Sequence, residues 1–159
     1  MDRVDIYINQ THKSPRKTNG AWQYLITMMT AKGPADTKGF GVAEATAHEA
    51  ELIALDEALR RFTAPCILYI HSEHGYFEQI HKNGWLAKWK ENNYMNSKGI
   101  PVIHEERLRA IEELLQNHEV GEVDNCLGEY TQWMQTQIDQ NYRNYRKGAL
   151  EHVKRFWRI

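Results

Sequence analysis

Three stretches with strand periodicity follow one another at the start of this chain before any helix pattern appears, and that order constrains the fold more than any other feature. Val4-Asp5-Ile6-Tyr7-Ile8-Asn9 alternates with period two. After a basic loop holding Pro15 and Gly20, Trp22 to Met29 reads as a second strand, and Gly39 to Ala43 as a third beyond a turn at Gly33-Pro34. Thr46-Ala47-His48-Glu49 then has capping-box spacing, and Leu55, Leu59 and Phe62 recur at helical intervals, which predicts a helix from Thr46 to Phe62. Pro65 precedes Cys66-Ile67-Leu68-Tyr69-Ile70, a continuous apolar run of the kind that forms a buried parallel strand. The order β-β-β-α-β predicts an α/β fold, with three antiparallel strands, then parallel strands, and helices on the faces of the mixed sheet.

The rest of the chain continues the same architecture. A short helix is expected from Glu73 to Lys82, a Trp-rich segment from Trp85 to Tyr94, and a loop around Gly99 and Pro101. A helix from His104 to Asn117 carries Leu108, Ile111 and Leu115 on one stripe, and Val120 to Val123 is a candidate fifth strand. From Leu127 to Ile159 the pattern is helical, with Met134, Ile138, Tyr142, Tyr145, Ala149, Val153 and Phe156 in register. No repeat or low-complexity linker interrupts this order. Residues 1–159 therefore read as one domain, with 136–159 a basic C-terminal helical extension.

With 159 residues and 42% hydrophobic side chains, the chain can bury a core without staples or bound metal. Cys66 and Cys126 have neither CxxC nor framework spacing, which argues against a disulfide scaffold or a structural zinc site and for a reduced, cytoplasmic protein. No apolar run is long enough to span a membrane, and the start Met1-Asp2-Arg3-Val4-Asp5 lacks the pattern of a signal peptide. The formal net charge of −1 conceals segregation. Lys13, Arg16, Lys17, Lys32 and Lys38 make the region 12–38 basic, and Arg143, Arg146, Lys147, Lys154, Arg155 and Arg158 do the same for 143–159. Between them, 99–130 carries eight acids against Arg107 and Arg109. Such blocks either form a solvated surface or hold a polyanion. There is no Walker loop, GxGxxG, HExxH or GxSxG.

Several segments carry a family resemblance in order and spacing over about residues 3–135. These are the first strand Val-Asp-Ile-Tyr-Ile-Asn, the helix Ala50 to Leu59, the strand end Ile67 to Ser72, Trp85-x-x-x-Trp89, and Lys98-x-x-Pro101-Val102. Together they resemble a type 1 ribonuclease H. The resemblance implies a five-stranded mixed sheet flanked by helices, and an enzyme that cleaves the RNA strand of an RNA–DNA hybrid. It also implies four carboxylates around two divalent cations, which activate water and stabilise the leaving oxygen.

At the positions this resemblance marks, the present chain has Asn9, Glu51, His71 and, in the last helix, Gln132 with Glu129 nearby. A neutral amide compensates no dication, so no metal cofactor is expected. A remodelled one-ion site at Glu51 and His71 taking Zn²⁺ or Mn²⁺, and a strand-end histidine satisfied by hydrogen bonds, are the two readings of His71. Glu51 falls on the core-facing stripe of its helix, either as an inherited site residue or as a carboxylate favoured near a helix start. Thr46 stands where the family contacts a DNA phosphate, and it is also the best helix cap in the region. The family's histidine-bearing loop before the last helix has no counterpart in Val123 to Glu129.

A segment resembling the family's basic handle persists, with Lys82, Lys88, Lys90 and Lys98 interleaved with Trp85, Trp89 and Tyr94. Lysines neutralise phosphates and aromatic faces pack on sugars or bases. Trp85 and Trp89 also suit a role as core anchors between short helices. The C-terminal helix offers its basic aromatic face to nucleic acid, to a protein partner or to a second copy, or packs it back on the sheet. The expectation is an RNase H-like nucleic-acid-binding protein for RNA–DNA hybrid or double-stranded RNA, without Mg²⁺-dependent hydrolysis. The alternatives are a divergent nuclease with relocated ligands, using Mg²⁺ or Mn²⁺, and a protein-interaction scaffold.

Overall fold

In the computed structural model, which describes residues 1–156 with side chains through 150, the five expected strands form one sheet. Strands β1 (Arg3–Gln10), β2 (Thr18–Thr30) and β3 (Gly33–Ala45) form an antiparallel meander. The chain then crosses through helix α1 (Ala47–Leu59) to β4 (Ile67–Ser72), which pairs parallel with β1. Helices α2 (Tyr76–Lys82), α3 (Trp85–Glu91) and α4 (Glu105–Leu115) precede β5 (Glu119–Asp124), parallel to β4. A short 3-10 turn, Gly128–Tyr130, leads into α5 (Thr131–Phe156). The spatial strand order is β3-β2-β1-β4-β5, so the antiparallel half and the parallel half meet at β1.

Alternation along β1 sorts its side chains between the two layers. Val4, Ile6 and Ile8 face the main core with Leu68 and Ile70, Leu52 and Leu55 of α1, and Leu108 and Ile111 of α4. Tyr7 faces the opposite layer, where Leu25, Leu127 and Met134 form a smaller cluster under α5. Helix α1 is buried nearly all round; Ala47, Ala50, Ala54 and Ala58 let it lie close to its neighbours. Its one buried aspartate, Asp56, is matched by Arg60 and by Arg107 of α4, each at 2.8 Å, so the charge stays paired where water is scarce.

Several boundaries differ from the sequence expectation. The β2–β3 hairpin turns at Ala31-Lys32, one step before Gly33-Pro34, and Gly33 pairs with Thr30 at φ +112°. The polar stretches flanking the turn extend both strands, and Pro34 is tolerated because β3 is an edge strand. Helix α1 stops at Leu59 rather than Phe62, and Glu73 to Gly75 form a turn before α2. On the α1 side of the sheet, the Trp22 and Tyr24 rings lie over Gly41 and Gly39. A register shift at Leu68/Tyr69 loosens the β4–β5 ladder, with the Tyr69 ring over Gly121 and the Arg3 guanidinium 3.7 Å above that ring. The 136–159 segment is the continuation of α5 as far as Phe156, and residues 157–159, including Trp157, lie outside the described residues.

Candidate functional site

Glu51 lies at the start of the second turn of α1, fully buried, where a lone carboxylate is expensive unless it is hydrogen-bonded. It accepts from the Ser72 hydroxyl, from the Gly75 amide at 3.1 Å and from the Phe77 amide at 2.8 Å. Helix α2 starts at Gly75 with no side-chain cap of its own, so Glu51 satisfies amides that its first turn leaves open. Burial nevertheless outweighs these bonds and pushes the Glu51 carboxyl up to about 7. The acid at this position is thus a structural tie between α1, the end of β4 and the start of α2.

His71 points to the other face of the sheet. Its Nε2 lies 2.8 Å from Asp5 Oδ1 and its Nδ1 2.8 Å from Asp124 Oδ1, both within hydrogen-bond reach. The ring thus bridges two carboxylates, one from β1 and one from β5. Tyr7 stacks on the ring at 4.6 Å with an interplanar angle of 20°, and Tyr130 closes against Tyr7 at 4.8 Å. Both ring nitrogens of His71 have carboxylate partners, and Glu51, the other half of the one-ion reading, faces the opposite layer.

Asn9 is buried, and both polar atoms of its amide lack a hydrogen-bond partner among the described residues. Its pairing partner Gln23 instead donates to the Met134 carbonyl at 2.8 Å and thereby ties β2 to α5. Gln132 lies exposed in the first turn of α5, and Glu129 is exposed just before it. Glu51 lies in the α1 layer, whereas Asn9 and His71 lie on the opposite face of the sheet, the side covered by α5, whose first turn carries the exposed Gln132. Among the described residues no group of three or more His, Cys, Asp or Glu side chains is placed to hold a metal ion.

Thr46 is the N-cap of α1, its hydroxyl accepting from the Glu49 amide at 3.1 Å. Lys82, Lys88, Lys90 and Lys98 are all exposed around α2 and α3, and Lys90 pairs with Glu112 of α4 at 3.0 Å. Trp85 and Trp89 stand 5.9 Å apart, half-buried against the main core. They anchor α3 while the lysines project outward. Tyr94 is buried beneath the Arg109 guanidinium, 4.3 Å from its ring, and holds the loop that follows α3.

Two arrangements were not anticipated from the sequence. Asp5 and Asp124 reach His71 across 66 and 53 residues of chain. Strand alternation does put Asp5, Tyr7 and Asn9 on one face, which was the available signal for the first of them. His74, which the sequence sets three positions after His71, is paired instead with His48 of α1.

The RNase H family model matches residues 9–123. A ribonuclease H of Thermoanaerobacter sp. (strain X514) is 29% identical over 158 residues, covering 98% of this chain and 92% of that relative. Among solved structures, LC9-RNase H1, described as a type 1 RNase H with the type 2 active-site motif, superposes with a TM-score of 0.65 at 11% identity. That match covers 81% of this chain and 65% of the other. The foamy viral protease-reverse transcriptase in complex with RNA/DNA hybrid superposes with a TM-score of 0.53 at 15% identity, over 79% of this chain and 18% of that one. Sheet order, crossover and family match agree, and the chain belongs to the RNase H family.

Proposed function

We propose that this protein is a non-catalytic RNase H-like module that binds nucleic acid, an RNA–DNA hybrid or double-stranded RNA. The observation that carries this reading is the engagement of both His71 ring nitrogens by Asp5 and Asp124, which leaves the strand-4 position with a bonded imidazole where a metal-binding carboxylate is needed. Two hard dications need several anionic oxygens. Asn9 supplies a neutral amide, and Glu51 already accepts from Ser72, Gly75 and Phe77. This donor set does not fit such a pair of ions, and no hydrolytic step is assigned to it.

Binding is supported by the exposed lysines around α2 and α3, and by a fold neighbour whose structure was solved with an RNA/DNA hybrid. Thr46 and the lysines at 82, 88, 90 and 98 are the contact residues of this proposal, with Trp85 and Trp89 as their scaffold. A cytoplasmic setting belongs to it as well, in keeping with free cysteines at 66 and 126.

The test incubates labelled hybrid with a protein titration in Mg²⁺ and, separately, in Mn²⁺. No cleavage is expected; turnover that Glu51→Gln abolishes would overturn the non-catalytic reading and favour a divergent nuclease. Fluorescence anisotropy with hybrid, duplex RNA and duplex DNA follows binding directly. Folded protein that binds none of the three at low salt would leave the scaffold reading in front.

A further inference from the structure

We propose that His48 and His74 form a two-armed site for a divalent ion of the nitrogen-preferring class, Zn²⁺ or Cu²⁺, separate from the positions marked by the family resemblance. His48 Nδ1 and His74 Nε2 face each other at 2.8 Å, with ring centroids 5.0 Å apart. In a neutral pair one nitrogen donates and the other accepts. An ion with Zn–N bonds near 2.0–2.1 Å at a tetrahedral angle sets its two nitrogens about 3.3 Å apart. The pair therefore needs to open by only about 0.5 Å to take it.

Both rings are carried on fixed backbone. His48 lies in the first turn of α1, capped by Thr46, and the Tyr76 ring covers its face at 3.8 Å and 5°. His74 sits in the turn whose flanking Ser72, Gly75 and Phe77 are all bonded to Glu51. Glu51 thus holds both halves of the chelate, one helical turn from His48 and around His74. The geometry is prepaid by the fold, which favours chelation by two ligands over what free side chains achieve.

The electrostatics suit neutral ligands. Burial pushes the imidazoles of His48 and His74 below their ordinary value, and their positive neighbours add to this, His104 acting on His48, and His48 and Lys13 acting on His74. Of the charged groups nearby, Lys13 pairs with Glu73 at 3.5 Å, and Glu49 lies 3.7 Å from His104. Those two acids are chain neighbours of the histidines, Glu49 beside His48 and Glu73 beside His74. On binding, the donating ring shifts its proton to its other nitrogen, so a neutral pair releases none. His48 is exposed, which leaves the remaining coordination positions to solvent. Imidazole nitrogens select Zn²⁺ and Cu²⁺ over Mg²⁺.

The experiment is a calorimetric titration of Zn²⁺ into the full chain carrying Cys126→Ser, which removes the exposed thiol as a competing ligand. One ion per chain with micromolar affinity is expected, unaffected by excess Mg²⁺ and weakening from pH 7 to pH 5 as the imidazoles take up protons. His48→Asn and His74→Asn, checked for folding by circular dichroism, should each weaken binding by about tenfold or more. Cu²⁺ absorption in the visible region reports nitrogen ligation independently. No heat at tens of micromolar protein, or the same affinity in the doubly substituted chain, would overturn the proposal.

Discussion

Ser72 donates its hydroxyl proton to the carboxylate of Glu51, which binds the end of β4 to α1 inside a region closed to water. The pairing makes the stability of the fold depend on the charge of one buried acid.

Folding stability should fall as pH rises from about 5 to about 7.5. The Glu51 carboxyl moves from an ordinary 4.5 up to about 7 on folding, so the native state holds this proton more tightly than the unfolded chain across that window. Its contribution is complete below the unfolded value and is lost as pH passes the folded one. A shift of this size corresponds to roughly 3 kcal/mol. Urea midpoints for the parent chain and for Glu51→Gln at both ends of the range measure the difference, and the slope should be smaller in the variant.

Breaking the His71 clamp should be costly. His71→Leu removes both side-chain contacts and leaves Asp5 and Asp124 without their shared partner, with a loss of about 1–3 kcal/mol. Chemical denaturation at neutral pH reads the loss. His71→Asp should be at least as destabilising, because it adds a third negative charge.

Restoring hydrolysis should require Asn9→Asp, His71→Asp and Gln132→Asp together. Single restorations leave the charge of two dications uncompensated. Cleavage of hybrid in Mg²⁺ by the chain carrying Asn9→Asp alone would contradict this.

If the lysines follow a phosphate backbone, log affinity should fall linearly with log salt, with a slope of about −0.9 per neutralised phosphate. Lys88→Ala with Lys98→Ala should flatten the slope by about 2 units at unchanged thermal stability, since exposed charges contribute little to folding. Adding Lys90→Ala should change it by less than a further unit, because Lys90 must first leave Glu112. Trp85→Ala should instead cost about 2–3 kcal/mol of stability, the ring being half-buried.

Gly41→Ala tests the aromatic cover on the meander. A Cβ there would overlap the Trp22 ring, so the indole has to move. A loss of about 1–3 kcal/mol is expected in thermal or urea unfolding, together with a shift in tryptophan fluorescence.

Element order was legible in the sequence because it rests on periodicity, which β1, α1 and β4 show clearly. The strand ends were not: Thr18 to Gly20 and Gly33 to Thr37 are polar and small, and become strand only through their cross-strand partners. Positions of the marked residues were legible, but their orientation was not. Alternation sends His71 and Ser72 to opposite layers, but nothing local in Ile67 to Ser72 says which acids they meet there. The four-residue spacing of Trp85 and Trp89 left core anchoring and nucleic-acid contact both open, and the structure packs both rings, half-buried, against the core. The pairing of His48 with His74 was not, since it depends on how the β4–α2 turn is folded around Glu51.

The sheet ends in two unpaired rims, and they are guarded unequally. β5 is short, distorted by the register shift at Leu68/Tyr69, and carries Glu119, Glu122 and Asp124, so a strand from another molecule meets repulsion and a broken ladder. β3 is long; Pro34, Asp36 and Lys38 protect its first half, while Gly39 to Ala43 is uncharged. In concentrated solution, aggregation by strand addition would therefore start at that five-residue run, and a lysine introduced at Val42 is the substitution that would raise solubility without touching either histidine cluster.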